Sequence, residues 1–304
     1  MSIIAVFLSL AVGLVLGTTA LNGPVVDALR GQVEGLSGDK RELRAGQERL
    51  RRELVADAQL ISGVTPALVA GQLAGQQVTL IEAGDVPGDT VEQVTAVLRS
   101  AGATVTSRVS LDDDYLTADG EGRLGEALKE IGTPAAGLAD PSLEAARVMA
   151  SVLVSGSTGV RGPGTAPAPD PTTVLNALED AGMLQASDVA GRATMAVLLT
   201  SGDEPGTGGD YGSAAVARLA MALDSWSNGV VVAGPAESAE SGGVLASLRE
   251  NRTATKAVSS VDGVDAPAGR LQAVYALAEQ LSGRSGSYGI VAGEVAPVRP
   301  PAGR

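Results

Sequence analysis

The chain has 304 residues, a net charge of −13, 44% hydrophobic but only 2% aromatic residues, and neither Cys nor His. That length allows an anchor plus a packed domain whose core must be built from Val, Leu and Ala. The missing His and Cys exclude Ser-His-Asp and Cys-His catalysis and zinc held by those ligands, and the acidity argues against nucleic acid as a partner.

Ile3–Leu21 is an uninterrupted apolar run of 19 residues, and no charge precedes Asp27. A helix of about 20 residues crosses the hydrocarbon core, so residues 1–22 are expected to form a single-pass transmembrane helix seated in the lipid bilayer. The run is longer than a usual signal-peptide core and no basic segment precedes it, although Thr18-Thr19-Ala20 has the small-residue spacing of a cleavage site. Gly13 and Gly17 form a GxxxG pair, which allows close packing of membrane helices. Counting Lys and Arg puts the C-terminal part on the cytoplasmic side, because Arg30, Lys40 and Arg41 follow the run and none precedes it.

Residues 25–61 carry a heptad repeat. With Val26 at position a, the a/d series is Val26, Leu29, Val33, Leu36, Lys40, Leu43, Gln47, Leu50, Leu54, Asp57 and Ile61, and eight of the eleven are apolar. Leu at four successive d positions, with Val and polar residues at a, favours a parallel two-stranded coiled coil. The expectation is a parallel homodimer with Val26, Leu29, Val33, Leu36, Leu43, Leu50, Leu54 and Ile61 in its seam. The competing reading is a single amphipathic helix docked on its own domain, since Gly31, Gly35, Gly38 and Gly46 each weaken the helix by about 1 kcal/mol. Seven acidic and seven basic residues cancel between Asp27 and Ile61, so the whole −13 lies elsewhere.

After Gly63-Val64-Thr65-Pro66 the pattern becomes short apolar strands alternating with helices. Strands are expected at Gln77–Ile81, Ala103–Val109, Thr194–Leu199, Gly229–Val232, Ala257–Ser260 and Tyr288–Ala292. Helices are expected at Thr90–Ser100, Leu124–Ile131, Leu143–Val154, Thr173–Ala181, Ala214–Leu223, Val244–Arg249 and Leu271–Leu281. The Gly/Pro/Ser/Thr-rich stretch Ser155–Pro171 reads as a loop. Strand-helix alternation implies an α/β class with a Rossmann-like, mostly parallel sheet over residues 75–295, in possible halves 75–155 and 171–295, followed by a tail at 296–304. The turns Leu80–Gly88 and Leu199–Gly206 echo each other, as an old duplication or as two similar strand-to-helix turns.

Few residues point to chemistry. Gly206-Thr207-Gly208-Gly209-Asp210-Tyr211-Gly212 stands where a phosphate-cradling loop would stand, but Tyr211 replaces the third Gly of GxGxxG and no GxxxxGK[ST] occurs. Asp112-Asp113-Asp114 reads as a solvated turn rather than a cation site. Asp262 and Asp265 bracket a turn and suit capping and turn chemistry. Met149, Met183, Met195 and Met221 read as core, although thioethers suit Cu(I). No catalytic constellation assembles, so the chain is read as a non-enzyme without a cofactor.

Ser260-Val261-Asp262-Gly263-Val264-Asp265-Ala266-Pro267-Ala268-Gly269-Arg270-Leu271, running on to Tyr275-Ala276-Leu277, is followed by Gly283-Arg284-Ser285-Gly286-Ser287-Tyr288-Gly289. Together with the opening Ala5–Gly17 these stretches resemble the actinobacterial copper transport protein B (MctB-like) family. The resemblance spans nearly the whole chain in matching order: anchor, coil, α/β domain. It implies a cell-envelope protein with its C-terminal part outside the cytoplasm, in conflict with the charge count, and a link to copper efflux and homeostasis. Copper is implied by the resemblance alone. Asp262, Asp265, Gly269, Arg270, Tyr288 and Gly289 are motif positions to which the resemblance attaches no role. The alternative is a dimeric coiled-coil envelope scaffold that recruits or regulates a protein partner such as a cell-wall hydrolase.

Overall fold

The computed structural model describes residues 2–132, 140–155, 170–202 and 209–296, without the side chains of residues 2, 16–30 and 34. The chain divides into two units, Met1–Gln59 and Leu60–Arg304.

The first unit lies within helix α1 (Ser2–Val69). Of the heptad stripe, Val33, Leu36, Leu43, Leu50 and Leu54 are 61%, 63%, 70%, 56% and 70% exposed. The side chains of Val26 and Leu29 lie outside the described residues, and Ile61 is half-buried. Among the described residues no helix is long and apolar enough to cross a membrane. Within the apolar run, the described side chains are those of residues 3–15, and the remainder of the expected anchor lies outside them.

The second unit is a three-layer α/β fold. Its described strands are β1 (Gln77–Ala83), β2 (Thr104–Leu111), β3 (Leu184–Ser187), β4 (Met195–Thr200), β5 (Val230–Gly234), β6 (Ser259–Asp262) and β7 (Ser287–Tyr288). They form one seven-stranded sheet in the order β3-β2-β1-β4-β5-β6-β7. Neighbours run parallel except β2 and β3, which are antiparallel. Every residue of β4 and β5 is buried, as a central parallel strand covered on both faces requires.

Side chains alternate between two cores. Ile81, Ala196, Leu198, Val230 and Val232 pack with α4 (Glu121–Glu130), α5 (Pro141–Leu153), α6 (Pro171–Asp180), α7 (Asp210–Trp226) and α8 (Val244–Glu250). Val78, Leu80, Val197, Leu199, Val231 and Ala233 pack with α2 (Gly88–Ser100) and α10 (Pro267–Gln280). The buried Met149, Met183 and Met195 belong to these cores, and Met221 packs against one of them.

The chain leaves β1 for β2 and β3, then returns to place β4 on the other side of β1. Such a reversal opens a crevice at the carboxyl ends of the strands. Helices α5 and α7 both begin at that edge. α7 starts after β4 and ends before β5. α5 is followed directly by Val154, which bridges in parallel to Ala193 at the amino end of β4. Their positive dipole ends therefore lie on the same edge of the sheet.

The strand and helix positions follow the sequence reading closely, with four differences. Helix α1 runs through Gly63–Pro66 to Val69, because Val69 and the following Leu73 are fully buried and the Tyr275 hydroxyl donates to the Leu68 carbonyl at 3.2 Å. β3 is an unforeseen antiparallel edge strand, where only Leu184 is buried and no alternation marks it. The strand expected at Ala257–Ser260 begins at Ser259, since Ala254–Ala257 forms the short helix α9. The strand expected at Tyr288–Ala292 stops at Tyr288. Gly289 turns there at φ +125°, and the amides of Val291 and Ala292 bond a carboxylate instead of a ladder. Most of the Ser155–Pro171 loop and the Pro297–Arg304 tail lie outside the described residues.

Candidate functional site

The last residue of β6, Asp262, is the centre of the family motif. Its side chain is fully buried, and its oxygens accept from the Arg249 guanidinium at 2.9 Å and from the amides of Val291 at 2.9 Å and Ala292 at 3.1 Å. Arg249 lies on the last turn of α8, where a cation also suits the helix dipole. It donates further to Ser260 Oγ at 3.0 Å and to the Tyr288 carbonyl at 3.1 Å. One guanidinium thus ties together α8, β6 and β7. A Cβ on Gly289 would collide with the Asp262 carboxylate, and its positive φ also favours Gly.

A second polar group locks the same corner. The Tyr288 hydroxyl donates to Glu279 on α10, and Arg284 Nε donates to the other Glu279 oxygen at 2.9 Å. Burial, then the bond to Glu279, pushes the Tyr288 phenol well above its usual range. Arg270 on the first turns of α10 donates to the carbonyls of Val264 at 3.0 Å and Asp265 at 2.7 Å. Burial lowers its pKa, with Asp265 opposing. Gly269 lets the helix approach this turn, since a Cβ there would collide with the Gly263 carbonyl.

The structure therefore gathers Asp262, Asp265, Gly269, Arg270, Tyr288 and Gly289 into one corner of the sheet and gives them a clamping task. Neither aspartate caps α10: the cap position is Ala266, with no side-chain cap bond. Asp262 is instead withdrawn into the interior and neutralised by Arg249, because a buried carboxylate requires both charge and hydrogen-bond partners. Arg249 and Glu279 were not singled out in the sequence. Each is a charge on an otherwise apolar helix face, the one local signal that marks it.

The other candidates stay apart from this corner. Asp112 precedes a short helix, Asp113–Leu116, and accepts from Gln185 Nε2 at 3.2 Å, while Asp114 pairs with Arg123, so the triple aspartate opens a helix where a solvated turn was expected. Among the described residues no group of three or more His, Cys, Asp and Glu side chains is placed to hold a metal. Gly206–Gly208 of the glycine-rich stretch lie outside the described residues. Near the end of α7, partial burial pushes the Asp224 carboxyl up to about 6.

The family model described as copper transport outer membrane protein, MctB, matches residues 1–298. Proteins named copper transporter MctB from Mycobacterium tuberculosis (strain H37Rv) and Mycobacterium bovis are 29% identical over 296 residues, covering 95% of this chain and 93% of theirs. The Mycobacterium leprae protein of that name is 30% identical over 301 residues, covering 95% of this chain and 94% of its own. The match takes in the apolar opening, the heptad stretch and the clamped corner together, and on that extent the chain belongs to the MctB family.

Proposed function

We propose that this chain is a membrane-anchored cell-envelope protein acting in copper efflux and homeostasis. The observation that carries the reading is the family match over residues 1–298, joined to relatives named copper transporters that align over nearly their full length. Copper is then cargo, and the reading rests on membership rather than on a ligand set, since the chain has no His or Cys. The N-terminal apolar run serves as a single-pass anchor, with the α/β unit outside the cytoplasm. Cell-associated copper in a deletion strain under copper stress tests the role. Accumulation reversed by the full-length gene supports it, and unchanged copper removes it. Because the chain lacks Cys, a single Gln93→Cys on α2 reports orientation: an impermeant maleimide labels it in whole cells if the unit is outside.

A second reading, a parallel dimeric scaffold that recruits an envelope partner, is favoured by the exposed stripe Val33, Leu36, Leu43, Leu50 and Leu54. Leu and Val at heptad spacing bury that surface most simply against a second copy. Leu36→Asp with Leu43→Asp is expected to convert a crosslinked dimer to monomer while leaving the α/β unit folded. A wild-type chain that is monomeric in mild detergent overturns the coil.

A further inference from the structure

A second buried polar group, unrelated to the family motif, lies where α3 (Asp113–Leu116), α5 and α7 meet at the carboxyl edge of the sheet. Four side chains bring polar atoms into it. The hydroxyls of Tyr115, Ser142 and Tyr211 and Nη1 of Arg218 are all buried; those of Tyr211 and Ser142 lean on one another without a well-formed bond, and Tyr115 and Nη1 find no hydrogen-bond partner among the described residues. Tyr115 is 1% exposed and Ser142 0%. They stand close enough to act on one another. Tyr115 feels Tyr211, Arg218 and Asp140, and Tyr211 feels Glu121, Ser142, Arg218 and Asp140.

A fold does not normally leave such atoms unmatched, because each buried unpaired donor is destabilising. Here two donors without a partner and two hydroxyls that have only each other come from three helices. The Arg218 fork is half used: Nη2 pairs with Asp140 at 3.0 Å and Nη1 does not. Asp140 is itself committed, since it also caps α5 by accepting from the Leu143 amide at 3.1 Å. Burial raises both phenols above their usual range, so they remain donors and make poor metal ligands. Three hydroxyls and a guanidinium N–H, beside the positive ends of two helix dipoles, ask for a ligand rich in acceptor oxygens. Asp140 and Glu121 limit how much negative charge is welcome.

We infer that the Tyr115–Ser142–Tyr211–Arg218 cluster binds the carboxylate group of a small organic acid, with Arg218 Nη1 and the three hydroxyls donating to its oxygens. A singly charged carboxylate matches the donors without facing the full repulsion that Asp140 and Glu121 would exert on a phosphate dianion.

Thermal unfolding of the full-length chain in detergent tests this, with sodium acetate titrated against sodium chloride at matched ionic strength. A ligand that binds only the folded state raises the midpoint in a saturable way. Acetate is expected to do so, and Tyr115→Phe and Ser142→Ala are each expected to weaken its apparent affinity by about tenfold, the usual consequence of losing a hydrogen bond to a charged group. Tyr115→Phe keeps the ring in the core, so the variant remains folded and its acetate response is readable. No midpoint rise beyond chloride means the cluster holds water only and overturns the inference. A rise that survives both variants places the anion elsewhere and overturns it too. A larger rise with inorganic phosphate than with acetate overturns the carboxylate assignment.

Discussion

Two buried polar clusters in the same α/β unit have opposite accounts. At the Asp262 corner the carboxylate accepts three bonds, and its guanidinium partner also reaches Ser260 and the Tyr288 carbonyl. At the Tyr115 cluster the Tyr115 hydroxyl and Arg218 Nη1 find no partner among the described residues, and the Tyr211 and Ser142 hydroxyls have only each other. Satisfied networks rigidify and specify a structure, while unsatisfied ones weaken it unless something fills them. The motif that carries the family resemblance therefore reads as a stability device, and the cluster outside the motif is where we place a ligand.

The largest test breaks the satisfied side. Asp262→Ala strands the Arg249 charge and two amides, and is expected to cost about 3–5 kcal/mol by urea titration. A loss below about 1 kcal/mol would show that the corner is not a clamp, by the usual worth of a single net hydrogen bond. Gly289→Ala forces a side chain into a positive φ and against the same carboxylate. It is expected to cost about 1–3 kcal/mol, and an unchanged unfolding midpoint would contradict that account.

Asp224 sharpens the comparison, because it is a half-buried acid with no ion-pair partner among the described residues. Its pKa is raised from 3.8 to about 6. The folded state therefore holds this proton more tightly than the unfolded state does. The contribution is fully present below the unfolded value and is lost as pH rises through about 6. Asp224→Asn is expected to stabilise the protein by on the order of 1–2 kcal/mol near neutral pH and hardly at all at pH about 4. Equal effects at both pH values would show that the carboxyl is not perturbed.

The smallest effect belongs to the unsatisfied cluster. Without added acid, Tyr115→Phe removes a hydroxyl that has no partner among the described residues, and is expected to shift stability by less than about 1 kcal/mol in either direction. A loss comparable to that of Asp262→Ala would mean the hydroxyl is already bonded, and the contrast between the two clusters would collapse.

Much of this protein was written in local pattern. The alternation of apolar strands with amphipathic helices pointed to an α/β class, and the apolar runs 195–199 and 230–233, inside the expected strands Thr194–Leu199 and Gly229–Val232, marked the central strands. Periodicity is a property of neighbours along the chain, so it needs no tertiary knowledge. The Leu repeat and the apolar opening are legible for the same reason. The tertiary structure decided what periodicity does not encode: the antiparallel edge strand β3, the early end of β7, and above all which polar residues meet. Arg249 and Asp262 are 13 positions apart, and Asp262 and Val291 are 29 apart. Tyr115, Ser142, Tyr211 and Arg218 come from three helices joined only by packing. A charge or hydroxyl takes its role from the burial and the partners that folding gives it, and those are set by proximity in space, not in sequence.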